Sequence, residues 1–212
     1  MDHPDSLSLR FDGRTHVLTA LPPHTAVSPL PPRVRLDGGA ERDEYGVVWR
    51  DGVPVLHPLS DPAAWSSLIP PPPMPDLIRE RMETLQTGSV LRVCLVPLPL
   101  LSRAEALAGA EVLRRAMETD PEAAHALLRR VCEGTLAVME AALQYDFDLI
   151  ALEEGWDLPA PLRRTFLRPY LARLYAMANA YGRPAAQLGC GAASMPSLLP
   201  ELEALGLDVL VP

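Results

Sequence analysis

Glu153 and Glu154 stand side by side behind the apolar run Asp148-Leu149-Ile150-Ala151-Leu152, and Trp156 and Asp157 follow at once. Two adjacent carboxylates at the end of a buried strand can act as proton donor, base or metal ligand, because burial raises the pKa of one of them. The bland alternative is a solvated loop whose acids cap the next helix. Trp156 would wall a pocket beside them or sit in a core. Cys190 lies in a second candidate loop, Leu188-Gly189-Cys190-Gly191-Ala192-Ala193-Ser194. Its glycines would let backbone amides approach a nucleotide phosphate at a helix N-terminus. Such a loop follows the first strand of its domain, whereas this one stands near the last residue of the sequence. A zinc thiolate needs three or four ligands, yet the five histidines (3, 16, 24, 57 and 125) all lie earlier in the chain. A lone cysteine otherwise reads as a small buried residue. His57, in Leu56-His57-Pro58-Leu59, is placed to reach a barrel mouth or to serve the core. No Gly-x-Ser-x-Gly, His-Glu-x-x-His, phosphate loop or Cys-x-x-Cys occurs, so these signatures assign no common enzyme class.

Both loops must be positioned by strands. The last third of the chain reads strand, acidic loop, helix, strand, cysteine loop, helix, strand, and parallel α/β folds carry their chemistry in the loops after their strands. Val90 to Val96 is a further apolar strand broken only by Arg92, as expected of a sheet covered on both faces. Asp120-Pro121-Glu122 predicts a capped helix start, and Leu127, Leu128, Val131, Cys132, Thr135, Val138, Met139 and Ala142 then recur at helical spacing. Pro161 opens another helix, which Pro169 should kink or split near Arg168. Upstream, Asp12-Gly13 and Asp51-Gly52 predict two hairpins, since Asp-Gly supplies the positive φ of type I′ turns. Pro70-Pro71-Pro72-Pro73-Met74-Pro75 reads as a stiff spacer. The expected organisation is a β-rich segment over 1–69, the spacer over 70–75 and an α/β domain over 76–212.

Composition narrows the partners. The 212 residues are 48% hydrophobic, with a net charge of −8 and a pI near 5.1. A nucleic-acid partner is excluded on the ground that phosphate binding needs a basic face. All 19 basic residues are arginine, and no mechanism attaches to that. The three cysteines (94, 132 and 190) are too few and too widely spaced for a disulfide framework. Nothing at the start reads as a signal peptide, and the longest apolar run, Val90 to Leu101, is too short to span a bilayer. The expectation is a cytoplasmic protein with no membrane partner.

Several segments share an order and spacing with one family. They are Asp43-Glu44-Tyr45-Gly46-Val47-Val48-Trp49 followed by His57-Pro58-Leu59, the helical stretch Gly109 to Met139, and the strand and loop Phe147 to Trp156. Pro161 to Leu174 with Arg168-Pro169-Tyr170, Ala185 to Gly191, and Leu205 to Leu210 complete the set. Over roughly residues 33 to 212 the chain resembles the uroporphyrinogen decarboxylase superfamily, especially its cobalamin-dependent methyltransferase-like branch. The resemblance implies a (β/α)₈ barrel with its site at the strand C-termini. In the methyltransferase branch, a zinc held by a His-x-Cys pair and a later cysteine activates a thiol as the nucleophilic thiolate. Leu188 replaces that histidine, Cys190 is the one matching ligand, and the later cysteine is absent. The arginine motif that holds carboxylates in the decarboxylase branch is not visible either.

The expected fold is therefore α/β, a partial or abbreviated TIM-type barrel with a β-hairpin-rich N-terminal segment, since a full barrel takes about 250 residues. The expected function is that of a corrinoid-dependent methyltransferase-like protein with reduced or lost metal-dependent methyl transfer. One alternative is a non-catalytic ligand- or partner-binding relative that completes its barrel by association, and another is a tetrapyrrole decarboxylase-like enzyme. Glu153 and Glu154 are the expected catalytic residues, Trp156, Asp157 and His57 the substrate contacts, and Cys190 the metal ligand. By resemblance the cofactor is zinc or a corrinoid, with the ligand set incomplete. Unpaired strand edges point to a homo-oligomer or a second subunit.

Overall fold

The computed structural model describes residues 16–18, 21, 24–85, 90–155, 158–189 and 195–211. In chain order the strands are β1 (His16–Val17), β2 (His24–Val27), β3 (Val34–Arg35), β4 (Glu41–Arg42), β5 (Val48–Arg50), β6 (Val53–Leu56), β7 (Leu91–Pro97), β8 (Leu149–Glu153), β9 (Ala185–Leu188) and β10 (Val209–Leu210). They form a six-stranded parallel sheet in the order β1-β10-β9-β8-β7-β2 and a four-stranded antiparallel sheet in the order β3-β4-β5-β6. The helices are α1 (Pro75–Thr84), α2 (Leu101–Ala108), α3 (Ala110–Thr119), α4 (Pro121–Ala142), α5 (Ala160–Leu162), α6 (Arg168–Ala180) and α7 (Met195–Glu203). Parallel neighbours need crossovers. Accordingly α2, α3 and α4 lie between β7 and β8 in the chain, α5 and α6 between β8 and β9, and α7 between β9 and β10.

The period of two along each strand divides the core. Cys94 and Val96 on β7, Ile150 and Leu152 on β8, Ala185 on β9 and Leu210 on β10 face the cluster built with the helices. Their alternates, Leu91 and Val93, Leu149 and Ala151, Ala186, and Val209, form a second buried cluster. Leu18, Leu21, Leu95 and Leu188 pack against this second cluster. Both faces of the sheet are thus apolar and buried, which accounts for the nearly continuous hydrophobic strands. Each fully buried leucine or valine there contributes roughly 2 kcal/mol. Arg92, the break in the β7 run, lies at the opening of the strand, where its guanidinium binds Asp148 at 2.8 Å and Asp146 at 3.0 Å. The charge meets carboxylates at the sheet rim and stays out of the core.

Local signals settle the ends of the elements. Asp120 caps α4 by accepting from the Ala123 amide at 3.1 Å, with Pro121 at the first helical position. Asp51 and Gly52 have φ of 51° and 78° and close the β5–β6 hairpin, as a type I′ turn requires. The hairpin expected around Asp12-Gly13 lies outside the described residues except for its second strand. His16–Val17 runs parallel to Val209–Leu210, and its expected partner at Leu7–Arg10 lies outside the described residues. At Pro169 the helix does divide. Arg163–Leu167 forms a π turn in which the Arg168 amide bonds Arg163 O, and α6 starts at Arg168. Proline has no N–H to give to the preceding turn, and the wider turn absorbs the missing bond.

The N-terminal 69 residues serve both sheets, because β1 and β2 lie in the parallel one and β3 to β6 make the other. Pro71, Pro72 and Pro73 line a cavity with the end of β7 and with α4. Among the described residues no helix is long and apolar enough to cross a membrane.

Candidate functional site

At the carboxyl end of β8 the two glutamates part company. Glu154 is 2% exposed, while Glu153 is exposed. The Glu154 carboxylate sits on the N-terminus of α2, where Oε2 accepts from the amides of Leu100 and Leu101, each at 2.8 Å. Oε1 accepts from the Ser102 amide at 2.7 Å, from the Ser102 hydroxyl, and from its own neighbour's amide, Gly155, at 3.1 Å. The first amides of a helix have no partner within it, and a negative charge there is favoured by the helix dipole. Burial pushes the Glu154 carboxyl up to about 7, against the pull of its donors. Glu154 therefore anchors α2 to β8. Glu153 contributes its carbonyl, which accepts from the Leu98 amide at 3.0 Å.

The next residue of α2 makes a second anchor. Arg103 Nη1 donates to Asp43 Oδ2 at 2.6 Å, and Nη2 donates to Glu44 Oε1 at 3.2 Å. Asp43 also accepts the Trp49 indole N–H at 2.9 Å and the amides of Tyr45 and Val47, each at 3.0 Å. Arg103 lies over the Tyr45 ring at 4.7 Å, and Arg33 over the Trp49 ring at 3.8 Å. Buried charges are tolerated when paired and hydrogen-bonded, and this cluster meets that condition. It ties the antiparallel sheet to the mouth of the parallel one. Burial raises the pKa of Glu44 and pushes the Tyr45 hydroxyl up to about 12.

Two adjoining cavities open here. The larger, about 550 Å³, is bounded by Ser102 and Arg103, by Glu153, Glu154 and Gly155 after β8, and by Gly189 after β9. The smaller, about 250 Å³, is lined mostly by prolines, Leu30, Met74 and Val138, and shares Glu44, Leu98 and Arg103 with the first. Leu98, just past β7, has φ of 51°, a left-handed conformation that costs a leucine roughly 1 to 2 kcal/mol. Strain of this kind gathers at functional sites.

Of the residues expected at the site, Glu153 and Glu154 line the larger cavity. His57 does not join them. It lines a third cavity with Trp49, Leu98 and Ser102. Its Nδ1 is 2.8 Å from Ala106 O, so the proton sits on Nδ1, because a carbonyl only accepts. Trp156, Asp157 and Cys190 lie outside the described residues. Among those residues no three His, Cys, Asp or Glu side chains gather as a metal site. Cys94 and Cys132 are buried thiols pushed up to about 12 and about 11 by desolvation. Sequence reasoning missed Ser102, Arg103 and the roles of Asp43 and Glu44. The available signal was the lone arginine in the apolar run Leu100-Leu101-Ser102-Arg103-Ala104, a charge that demands a buried partner.

A sequence model of the uroporphyrinogen decarboxylase (URO-D) family matches residues 94–211, more than half of the chain. No curated protein sequence matches. Among solved structures the chain is similar to a methyltransferase from Methanosarcina mazei, with a TM-score of 0.52 and 18% identity. The match covers 64% of this chain and 40% of that one, so the chain spans well under half of that protein's length. The likeness is one of fold.

Proposed function

The chain belongs to the uroporphyrinogen decarboxylase family, and from that premise we propose that it is a small-molecule-binding member with a methyltransferase-like, partial-barrel fold. The observation that carries this reading is the cavity of about 550 Å³ at the carboxyl ends of β7, β8 and β9, the place where parallel α/β proteins bind their ligands. A barrel-type arrangement is supported by the buried strand cluster on the face away from the helices, as in the layered interior of such barrels. Glu154 holds α2 in place rather than handling protons, because its oxygens are occupied by donors. A carboxylate-rich tetrapyrrole suits the cavity poorly. Arg103 is committed to Asp43 and Glu44, and the other two arginines of the lining, Arg33 and Arg81, share it with four carboxylates, Asp43, Glu44, Glu153 and Glu154. Ligand-observed NMR with a set of cationic, neutral and anionic fragments tests the binding reading. Fragments should bind the wild-type protein and be lost from Leu30→Trp, which fills the mouth common to both cavities. A set without a hit, or hits that ignore that substitution, would sink it.

A second reading keeps metal-dependent methyl transfer. It is favoured by Gly189, the residue before Cys190 in the sequence, which lines the larger cavity. Zinc would supply a thiolate nucleophile there. Cys190 is the one cysteine of the family's ligand pattern matched in these 212 residues. Zinc content of protein purified without chelator or tag decides it. About one zinc per chain, lost in Cys190→Ser, would put methyl transfer first, and no zinc after reconstitution would remove it.

A further inference from the structure

The smaller cavity has an unusual balance of hydrogen-bonding groups. Six of its lining residues are prolines, Pro29, Pro31, Pro71, Pro72, Pro73 and Pro97, and proline has no N–H to donate. Several other donors in its wall are already engaged. The Leu30 amide binds Ser28 Oγ at 3.2 Å, the Leu98 amide binds Glu153 O at 3.0 Å, and the Thr135 hydroxyl binds Pro99 O at 2.6 Å. Both Arg103 terminal nitrogens are held by Asp43 and Glu44. Acceptors remain. The Glu44 side chain is 14% exposed, and its carboxylate accepts from Arg103 at 3.2 Å and from its own backbone amide. Glu44 lines both cavities, and a carboxylate has about four acceptor sites, so it keeps accepting capacity at their junction. The Tyr45 hydroxyl, in the same wall, has no hydrogen-bond partner among the described residues and can accept as well as donate.

Charge runs the same way. Asp43 and Glu44 share the guanidinium of Arg103, with Arg33 as a further cation acting on Glu44, and in the wall of the smaller cavity Glu44 is the one carboxylate among the described residues. An apolar chamber whose spare polar capacity belongs to a carboxylate selects a donor-rich cation. An anion or a ligand that only accepts would leave the carboxylate unmatched.

We propose that the smaller cavity is a subsite for an organic cation, a compact apolar body bearing one protonated amine, with the Glu44 carboxylate as its counter-ion. The assignment rests on the small-molecule reading above and adds the ligand's chemical class. Proline walls and Met74 would hold the apolar body, since rigid rings present carbon surface at little entropic cost. The ammonium would face Glu44 and the Tyr45 oxygen, and its remaining proton would point to the larger cavity.

Three probes of like shape test it on the full chain: benzylammonium, benzyl alcohol and benzoate. In protein labelled at the methionine methyls, benzylammonium should shift the Met74 resonance, assigned through Met74→Leu, with at least about tenfold tighter binding than the other two. Glu44→Gln keeps the shape and an acceptor for Arg103 but removes the charge, and should weaken benzylammonium by about tenfold or more. Should that variant fail to fold, the ranking of the three probes on wild-type protein decides alone. Benzoate or benzyl alcohol binding as tightly as benzylammonium would overturn the cation assignment and leave small-molecule binding standing. No Met74 response to any probe would overturn the subsite, while the fragment set decides separately whether the larger cavity binds at all.

Discussion

Asp43 and Arg103 make the contact on which the site most depends, because four donors converge on one buried carboxylate. Replacing Asp43 by alanine would orphan an indole N–H, two amides and a guanidinium together. The expected loss is about 3 to 5 kcal/mol, the range for breaking a buried pair, read from urea unfolding. Glu154 makes a prediction of different form. Its native pKa is raised from the ordinary 4.5 to about 7, so the folded state binds its proton more tightly than the unfolded state does. That contribution to stability is fully present below pH 4.5 and is lost as pH rises through about 7, on the order of 3 kcal/mol in all. Glu154→Gln should flatten the pH dependence of the unfolding free energy over that window. An unchanged slope would mean that burial is not what sets this carboxyl.

At the scale of elements, α2 is the hinge of the design. Its N-terminus is held from β8 by Glu154 and its first turn from the antiparallel sheet by Asp43, so eight residues join the two sheets at the cavity. On α4 the decisive position is Gly134. A Cβ there would press on the Tyr45 hydroxyl and lie 2.8 Å from Pro70 Cβ. In an open helix Gly→Ala stabilises by roughly 1 kcal/mol. Here Gly134→Ala should instead destabilise by about 1 to 3 kcal/mol, the range for overpacking, and should shrink the proline-lined cavity. A gain in the thermal midpoint would show that the proline segment yields freely.

At the scale of the whole molecule, among the described residues the parallel sheet has β1 at one edge and β2 at the other. Exposed strand edges invite pairing with another chain, which supports the proposal that this protein associates with a second copy or another subunit. Light scattering across a wide concentration range is expected to give a mass above that of a 23.1 kDa monomer. A monomer at every concentration would remove the proposal.

Much of this molecule is local and could be read from the chain itself. The strand and helix alternation from Val90 onward, the Asp120 cap, the Asp51-Gly52 turn and the division at Pro169 each follow from a few neighbouring residues, and the ordered segments pointed to the family that the match over residues 94–211 bears out. That a cavity would open at the carboxyl end of β8 was legible for the same reason, since apolar strands end where polar loops begin. What the two glutamates do was not. Which of them is buried depends on α2, whose first turn lies more than fifty residues earlier in the chain and whose amides claim Glu154. The partners of Arg103 sit sixty and fifty-nine residues away, and the proline run becomes a cavity wall once α4 packs beside it. Periodicity and capping are short-range physics, written in adjacent residues. Pairing of buried charge and the shape of a cavity are set by whichever distant groups the fold brings together.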